Sequence, residues 1–541
     1  MLAPLMLILS LLIWVPQRPG RAQQSENAQQ PSPVQQTAAP QGEQPSQPAR
    51  QPERAQPPQP EQPPSITHHE INVNGKSVRY TATSGTMPLK DQAGTTEAHI
   101  FYIAYTLEGG PGPGERPLTF AFNGGPGSAS VWLHLGCIGP RRVRMQEDGG
   151  MPAPPYRLED NPYTWLDQTD LVFIDPVGTG FSRAAKPELG KKFWGLRGDI
   201  ESVGEFIRLY LDHNNRWGSP LFIAGESYGT TRASGLSGYL VDHGIAFNGV
   251  ILISTVMNFQ TLQFAQGNDL PYILFLPTYT ATAWYHKKLP AELQQQDVKH
   301  AVEEAEHWAG TDYTLALARG DLLTGQERQA VIDKLARYTG LDKRVIDQSD
   351  LRISGGLFEK ELLNDQRRSV GRLDSRFVGV DELGIGTRPD FDPSNVAIRP
   401  PFTAAFNNYI RGDLGYKSDL EYYALGGGIG QWDWGVNNGY ADTSAALRSA
   451  FAKNPDMKLF VAMGYYDLAT PLSAVHYTLS HMGLDPAMRS NISTGYYEAG
   501  HMMYIDNRAI ARLRADIGKF VEGALKHTGE RYNLNAPAPK P

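Results

Sequence analysis

Cysteine is nearly absent, Cys137 being the single one in 541 residues. No disulfide can form within the chain, and no thiolate cluster can hold a metal. A chain of this length must therefore rely on a large apolar core without covalent cross-links. An excess of one charge is missing too. The 57 acidic and 50 basic residues leave a formal net charge of -7, which gives no support to a nucleic-acid groove. Beyond the first fifteen residues no stretch is long and apolar enough to span a bilayer. There is no internal repeat and no sustained heptad pattern, so neither a repeat array nor a long coiled coil is expected.

What is present begins with an apolar run, residues 1–15, followed at once by Pro16-Gln-Arg-Pro19. Residues 1–22 read as a secretory signal segment cleaved near Ala22, with an uncleaved anchor as the alternative, and the expected location is secreted or periplasmic. Residues 23–64 are mostly Gln, Pro, Ala, Ser and Glu, too polar to form a core, and read as a disordered linker.

From residue 65 the pattern is that of a folded domain. Asn74-Gly75 between alternating segments predicts a hairpin, and residues 98–106 a third strand. Residues 117–122, 170–175, 221–224 and 247–254 read as short buried strands, and residues 198–215 as an amphipathic helix with Ile200, Val203, Phe206, Ile207 and Tyr210 on one side. Alternating strands and helices predict an α/β fold, a mostly parallel central sheet with helices on both faces.

The expected organisation is a first catalytic part at 65–256, an inserted helical cap at 257–403 and a second catalytic part at 404–541. In the cap, residues 290–319 read as helical with a break near Gly310, 325–338 and 342–351 as helices, and 363–403 as polar loop. Tyr272, Tyr279 and Trp284 either line an aromatic pocket or pack the core. The second part returns to sheet character at 457–464 and closes with a helix at 506–525 and a polar tail from Arg531.

The chemistry centres on Gly225-Glu-Ser-Tyr-Gly229, which follows an apolar run and opens a helical stretch. This Gly-x-Ser-x-Gly pattern is that of a nucleophile elbow, with Ser227 on a tight strand-to-helix turn and the helix N-terminus behind it. A serine needs a base, and the base an orienting carboxylate. In α/β-hydrolases these follow in the order Ser, Asp, His. Asp467, directly after the late strand, and His501, in the loop before the last helix, satisfy that order. His476 and His481 compete for the base, and Asp433 and Asp442 for the carboxylate.

Asn123-Gly-Gly-Pro-Gly127 follows a strand placed to neighbour the elbow strand. Its glycines allow close backbone approach, so the N–H groups of Gly125 and Tyr228 are the candidate oxyanion donors. No phosphate-loop Lys accompanies these glycines. Glu226 stands immediately before the nucleophile. Desolvation there raises its pKa, and a protonated Glu226 together with Asn123 would hold a substrate carboxylate.

These motifs resemble the serine carboxypeptidase family. Asn123-Gly-Gly-Pro-Gly127, Gly139-Pro140, Asn161-Pro-Tyr-Thr-Trp165, Asp175-Pro-Val-Gly-Thr-Gly-Phe-Ser182, Gly225-Glu-Ser-Tyr-Gly229, Asp467 and Gly500-His501-Met502 occur in the family's order. The resemblance spans residues 118–502. It implies an α/β-hydrolase fold, Ser227 as nucleophile, His501 as base and Asp467 as its orienter. It further implies Gly125 and Tyr228 as the oxyanion hole, and Asn123 and Glu226 as holders of the substrate's terminal carboxylate. The reaction implied is release of C-terminal amino acids from peptides at acidic pH.

Three positions depart from the family pattern. Ala121 stands where a Trp is usual, Cys137 where a second clamp carboxylate is usual, and Tyr504 where a proline often continues the histidine motif. The lack of cysteine pairs fits a bacterial-type member.

The expected protein is thus a serine-type carboxypeptidase acting through an acyl-enzyme on peptides with a free C-terminus. No metal or organic cofactor and no nucleic acid is expected. The alternatives are an esterase or acyltransferase with the same triad, and a non-catalytic binding protein on a hydrolase fold.

Overall fold

The computed structural model describes residues 63–526, apart from Asn74 and Pro113. The signal segment, almost all of the linker and the polar tail lie outside the described residues.

Nine strands follow one another along the main sheet: β1 (Ser65–Val73), β2 (Lys76–Lys90), β3 (Thr96–Leu107), β4 (Leu118–Phe122), β5 (Asp170–Ile174), β6 (Leu221–Ser227), β7 (Gly249–Thr255), β8 (Lys458–Gly464) and β9 (Ile492–Tyr497). Their spatial order is β1-β2-β3-β5-β4-β6-β7-β8-β9, with a two-residue strand, Arg183–Ala184, paired to β3 as a tenth. The first three strands form an antiparallel meander, and β3 meets β5 antiparallel. From β5 to β9 every pairing is parallel. The β1–β2 register sets Val73 opposite Lys76, as a two-residue hairpin requires, and Gly75 adopts φ +81°.

The parallel strands read as unbroken apolar runs because both faces are covered. Phe222, Ala224, Ile251, Ile253, Phe460 and Ala462 point into one core, while Leu221, Ile223, Val250, Leu252, Leu459 and Val461 point into another. On the first face lie the helices Pro393–Gly412 and Asn507–Leu525, through Phe402, Phe406, Ile510, Leu513 and Ile517. On the second lie α1 (Leu196–His213), α2 (Tyr228–Asp242) and Ser444–Lys453, through Val203, Phe206, Leu236, Leu240 and Leu447. The apolar side of α1 read from the sequence is the side that packs on the sheet. Under the strand starts, the Asp170 carboxylate accepts from Arg116 and Arg216, each at 2.7 Å, all three being buried.

Between β7 and β8 a set of helices builds a third core. Leu270–Tyr285, Val298–Trp308 and Gly325–Thr339 bury Phe275, Tyr279, Trp308, Leu335 and Phe358 together. Tyr279 stacks on Phe358 at 4.1 Å between ring centroids, so it is a packing residue, and Trp284 and Tyr272 lie against the same cluster. The break after Trp308 is a π-helical turn, Ala309–Tyr313, that carries Gly310.

One expectation fails here. Residues 363–403 read as loop, but a helix runs from Pro393 to Gly412. Two prolines inside it, Pro400 and Pro401, mask it in a sequence reading. Asp392 caps it through Ser394 N, Pro393 occupies the first turn where no N–H is needed, and Phe402, Phe406 and Tyr409 supply the burial that outweighs the proline cost. No helix among the described residues is long and apolar enough to cross a membrane.

Phe206 is wholly buried between α1 and the sheet. Phe206→Ala should lower unfolding free energy by about 3–5 kcal/mol, read as a shifted urea midpoint.

Candidate active site

Ser227 closes β6 and opens α2 with φ +60° and ψ −133°. A side-chain-bearing residue is held there only if its surroundings enforce the strain. The enforcement is backbone contact. A Cβ on Gly225 would lie 2.2 Å from the Gly229 carbonyl oxygen, and one on Gly124 would lie 2.3 Å from the Tyr228 nitrogen. Strand, helix start and the loop after β4 therefore touch along their backbones. This contact sets Asn123, Gly124 and Gly125 against the first turn of α2.

The loop is fixed from below by a buried ion pair that sequence reasoning missed. Arg232 donates to the Asn123 carbonyl oxygen at 2.7 Å and to Asp199 at 2.8 Å, and the Tyr228 hydroxyl donates to the same Asp199 carboxylate at 3.1 Å. Arg232 is wholly buried. A lone arginine in the small-residue helix 229–238 was the available signal.

Asp467 follows β8 and is completely buried. Its Oδ1 accepts from the Ala469 and Thr470 N–H groups at 2.8 and 2.9 Å, and its Oδ2 from the Thr470 hydroxyl at 2.7 Å. Oδ2 also lies 2.8 Å from His501 Nδ1. A carboxylate only accepts, so the imidazole proton sits on Nδ1 and Nε2 is left as the basic nitrogen. Nε2 lies 3.7 Å from Glu226 Oε1, on the residue preceding Ser227.

The histidine loop is tied down by the segment 371–377. The His501 N–H donates to the Leu373 carbonyl oxygen at 2.6 Å, and the Gly500 N–H to Asp374 at 3.0 Å. Arg376 pairs with Asp374 at 2.7 Å and Asp506 at 3.1 Å, and donates to the Glu498 carbonyl oxygen at 3.0 Å. From the other side the Ser254 hydroxyl donates to the His501 carbonyl oxygen at 2.6 Å.

The competing residues are engaged elsewhere. His476 sits between Glu306 at 2.8 Å and Tyr496 at 2.9 Å. His481 bonds to the Tyr477 carbonyl within its own helix. Asp433 and Asp442 accept from the N–H groups of Gly435 and Ser444, as turn and helix-start carboxylates do.

Glu226 accepts from Asn123 Nδ2 at 2.5 Å, and Asn123 Oδ1 accepts from the Leu133 N–H at 2.9 Å. Burial raises the Glu226 pKa above the usual carboxylate range, more than His501 and Asn123 lower it. Burial pulls His501 down, but Asp467, its hydrogen bond and Glu226 outweigh that and raise it. Cys137 is buried in a short π-helical turn, His134–Ile138, and burial pushes its thiol up to about 12. Ala121 lies in the sheet between Phe173 and Ala224. Among the described residues no three His, Cys, Asp or Glu side chains are placed to hold a metal.

A further element escaped the sequence reading. Residues 422–434 cross the glycine loop, with Gly426 N–H donating to Gly127 at 2.9 Å and Ala129 N–H to Ala424 at 3.0 Å. Trp432 and Trp434 meet the Tyr228 ring at 5.3 and 6.0 Å. The tryptophans of Gly430-Gln-Trp-Asp-Trp434 were the signal.

Sheet order and strand-to-helix turn together define the class: the chain has an α/β-hydrolase fold. Residues 74–318 match the family described as serine carboxypeptidase. Serine carboxypeptidase-like 13 of Arabidopsis thaliana is 30% identical over 135 residues, 24% of this chain and 30% of that protein. Serine carboxypeptidase-like 36 of the same plant is 34% identical over 130 residues, 24% of each chain. The chain thus spans under a third of the length of these curated relatives. A prohormone-processing carboxypeptidase from Saccharomyces cerevisiae superposes with a TM-score of 0.50 at 17% identity, over 82% of this chain and 91% of that one, a likeness of fold. The chain is thus similar to serine carboxypeptidases over residues 74–318, a little under half of its length.

Arg232→Leu leaves Asp199 buried without its cation and the Asn123 carbonyl without its donor. Unfolding free energy should fall by about 3–5 kcal/mol, measured by denaturant titration.

Proposed function

We propose that the protein is a serine-type carboxypeptidase that releases C-terminal amino acids through an acyl-enzyme. The observation that carries this reading is one buried arrangement. The Asp467–His501 pair and the Asn123–Glu226 pair meet beside Ser227, which is held on its strained turn.

In the proposed reaction the Ser227 hydroxyl attacks the scissile carbonyl carbon and its proton passes to His501 Nε2. The Gly125 and Tyr228 N–H groups receive the oxyanion. Collapse breaks the C–N bond, and the departing amine takes the proton from His501. Water then attacks the acyl ester, giving its proton to His501, and Ser227 leaves with that proton. Asp467 keeps Nδ1 protonated and the ring oriented throughout.

Asn123 and Glu226 are read as the clamp for the terminal carboxylate. A neutral Glu226 donates to that carboxylate, whereas an ionised one repels it. The two catalytic requirements are compatible at mildly acid pH. Protonating Glu226 removes the negative charge 3.7 Å from Nε2, which lowers the His501 pKa and frees the base. An esterase or acyltransferase with the same triad is the second reading. It is favoured by Cys137, a neutral thiol and weak donor, and by Ala121, which offers no indole. The apolar segment 1–15 and the Gln/Pro-rich tether suit delivery across a membrane.

The test is product analysis by mass spectrometry on a blocked peptide and its C-terminal amide. Loss of one residue from the free acid alone, abolished in Ser227→Ala, is expected. Equal cleavage of both, or ester hydrolysis alone, contradicts the carboxypeptidase reading.

A pH series supplies a second check. As pH rises through the raised Glu226 pKa, KM for the free acid should climb by about ten- to a hundredfold, the worth of one charge-assisted hydrogen bond. Glu226→Gln should flatten that climb, and an unchanged pH profile would remove Glu226 from the clamp. On the acid side kcat should fall as His501 becomes protonated.

A further inference from the structure

Tyr504 stands three residues after His501, in the short turn Met503–Ile505, and is wholly buried. Its hydroxyl lies against Glu226, Cys137 and Asn123. Yet that oxygen finds no hydrogen-bond partner among the described residues. Beside it, Asn123 Nδ2 and Glu226 Oε2 are bonded to one another at 2.5 Å, and Asn123 Oδ1 accepts from the Leu133 N–H. The phenol interacts with both members of this pair without a fully formed hydrogen bond to either. An unmet buried donor is costly and rare in a folded core, so a ligand group that completes it would be recognised strongly.

The site is also made to fit this ring. A Cβ on Gly136 would come within 2.7 Å of Tyr504 Cε2 and 2.9 Å of Cδ2. Glycine at 136 is thus the space in which the ring lies. The next residue, Cys137, carries only a thiol, a weak donor that burial keeps neutral. Between them, a glycine that admits the ring and a cysteine that cannot bond strongly leave the phenol as the strong neutral donor on that side of the Asn123–Glu226 pair.

We infer that Tyr504 is a third member of the carboxylate clamp, donating its hydroxyl hydrogen bond to the terminal carboxylate of the substrate beside Asn123 and Glu226. This rests on the carboxypeptidase reading above, and it names the residue that does the work for which Cys137 is unsuited. The ligand chemistry is a carboxylate oxygen entering next to Glu226 and accepting from the Tyr504 hydroxyl. Burial keeps the phenol protonated far above the working pH, so its donation does not titrate with Glu226.

The experiment compares kcat/KM of a blocked dipeptide acid with that of the same dipeptide amide, in wild type and in Tyr504→Phe, between about pH 4 and 8. Tyr504→Phe keeps the ring against Gly136, and a melting midpoint equal to wild type establishes that the fold is intact. The expected result is an acid-to-amide preference reduced by about ten- to a hundredfold, through KM and by the same factor at every pH. Equal loss on acid and amide would make Tyr504 a packing residue, and an unchanged preference would remove it from the clamp. A changed pH dependence in place of a uniform loss would mean that it acts on Glu226 and not on the substrate. Each of these overturns the inference while leaving the carboxypeptidase reading intact. A wild type with no acid preference, but with ester hydrolysis that needs Ser227, overturns both. Gly136→Ala, which crowds the ring, should reduce the preference in the same direction.

Discussion

Backbone contact at the end of β6 is the constraint on which the site depends. The chain can reverse from strand to helix at Ser227 only because Gly225 brings no Cβ, and the glycine loop can lie on α2 only because Gly124 and Gly229 bring none. The resulting φ of +60° at Ser227 is strained for a residue with a side chain. It persists because β6 is central in the sheet, paired to β4 on one side and β7 on the other, with wholly buried residues facing both cores. Arg232 adds the lock beneath, joining Asn123, Asp199 and through it Tyr228 in one buried group.

The histidine is positioned by a different means. Its loop is held by main-chain bonds to Leu373 and Asp374, residues that come from the long excursion between β7 and β8. Arg376 ties the same strap to Asp506, the residue that caps the last helix. The placing of His501 therefore depends on three distant stretches of chain meeting at one corner. The acid–base pair at the centre is coupled electrostatically, since Glu226 raises His501 while it is charged and releases it when neutral. Burial of Glu226 thus acts on two groups at once, its own proton and that of His501.

What the sequence made legible follows from what is local. Alternation, apolar runs and the Asn74-Gly75 turn are short-range signals, and the strands and the apolar side of α1 lie where those signals place them. Glycine spacing made the elbow legible for the same reason, as Gly225 answers to a contact with Gly229 on the same turn. Order along the chain picked out Asp467 and His501, which meet at 2.8 Å. What was not legible is long-range. Asp199 with Arg232, the 371–377 strap and the crossing of 422–434 over the glycine loop are partnerships over tens to hundreds of residues, and none leaves a periodic trace. The helix Pro393–Gly412 was hidden by its own prolines, because its stability comes from Phe402, Phe406 and Tyr409 in a distant core. Tyr504 was visible only as a departure from a pattern, and its meaning lies in the space left by Gly136.

The central claim is that Ser227 is a nucleophile activated by His501. It is tested most directly by intact-mass analysis after treatment with a serine-directed phosphonate, followed by peptide mapping. The account predicts a single adduct on Ser227, absent in Ser227→Ala and formed at least a hundredfold more slowly in His501→Ala, in line with the usual contribution of a general base. A folded wild-type protein that gains no adduct, or gains one on another residue, would contradict it.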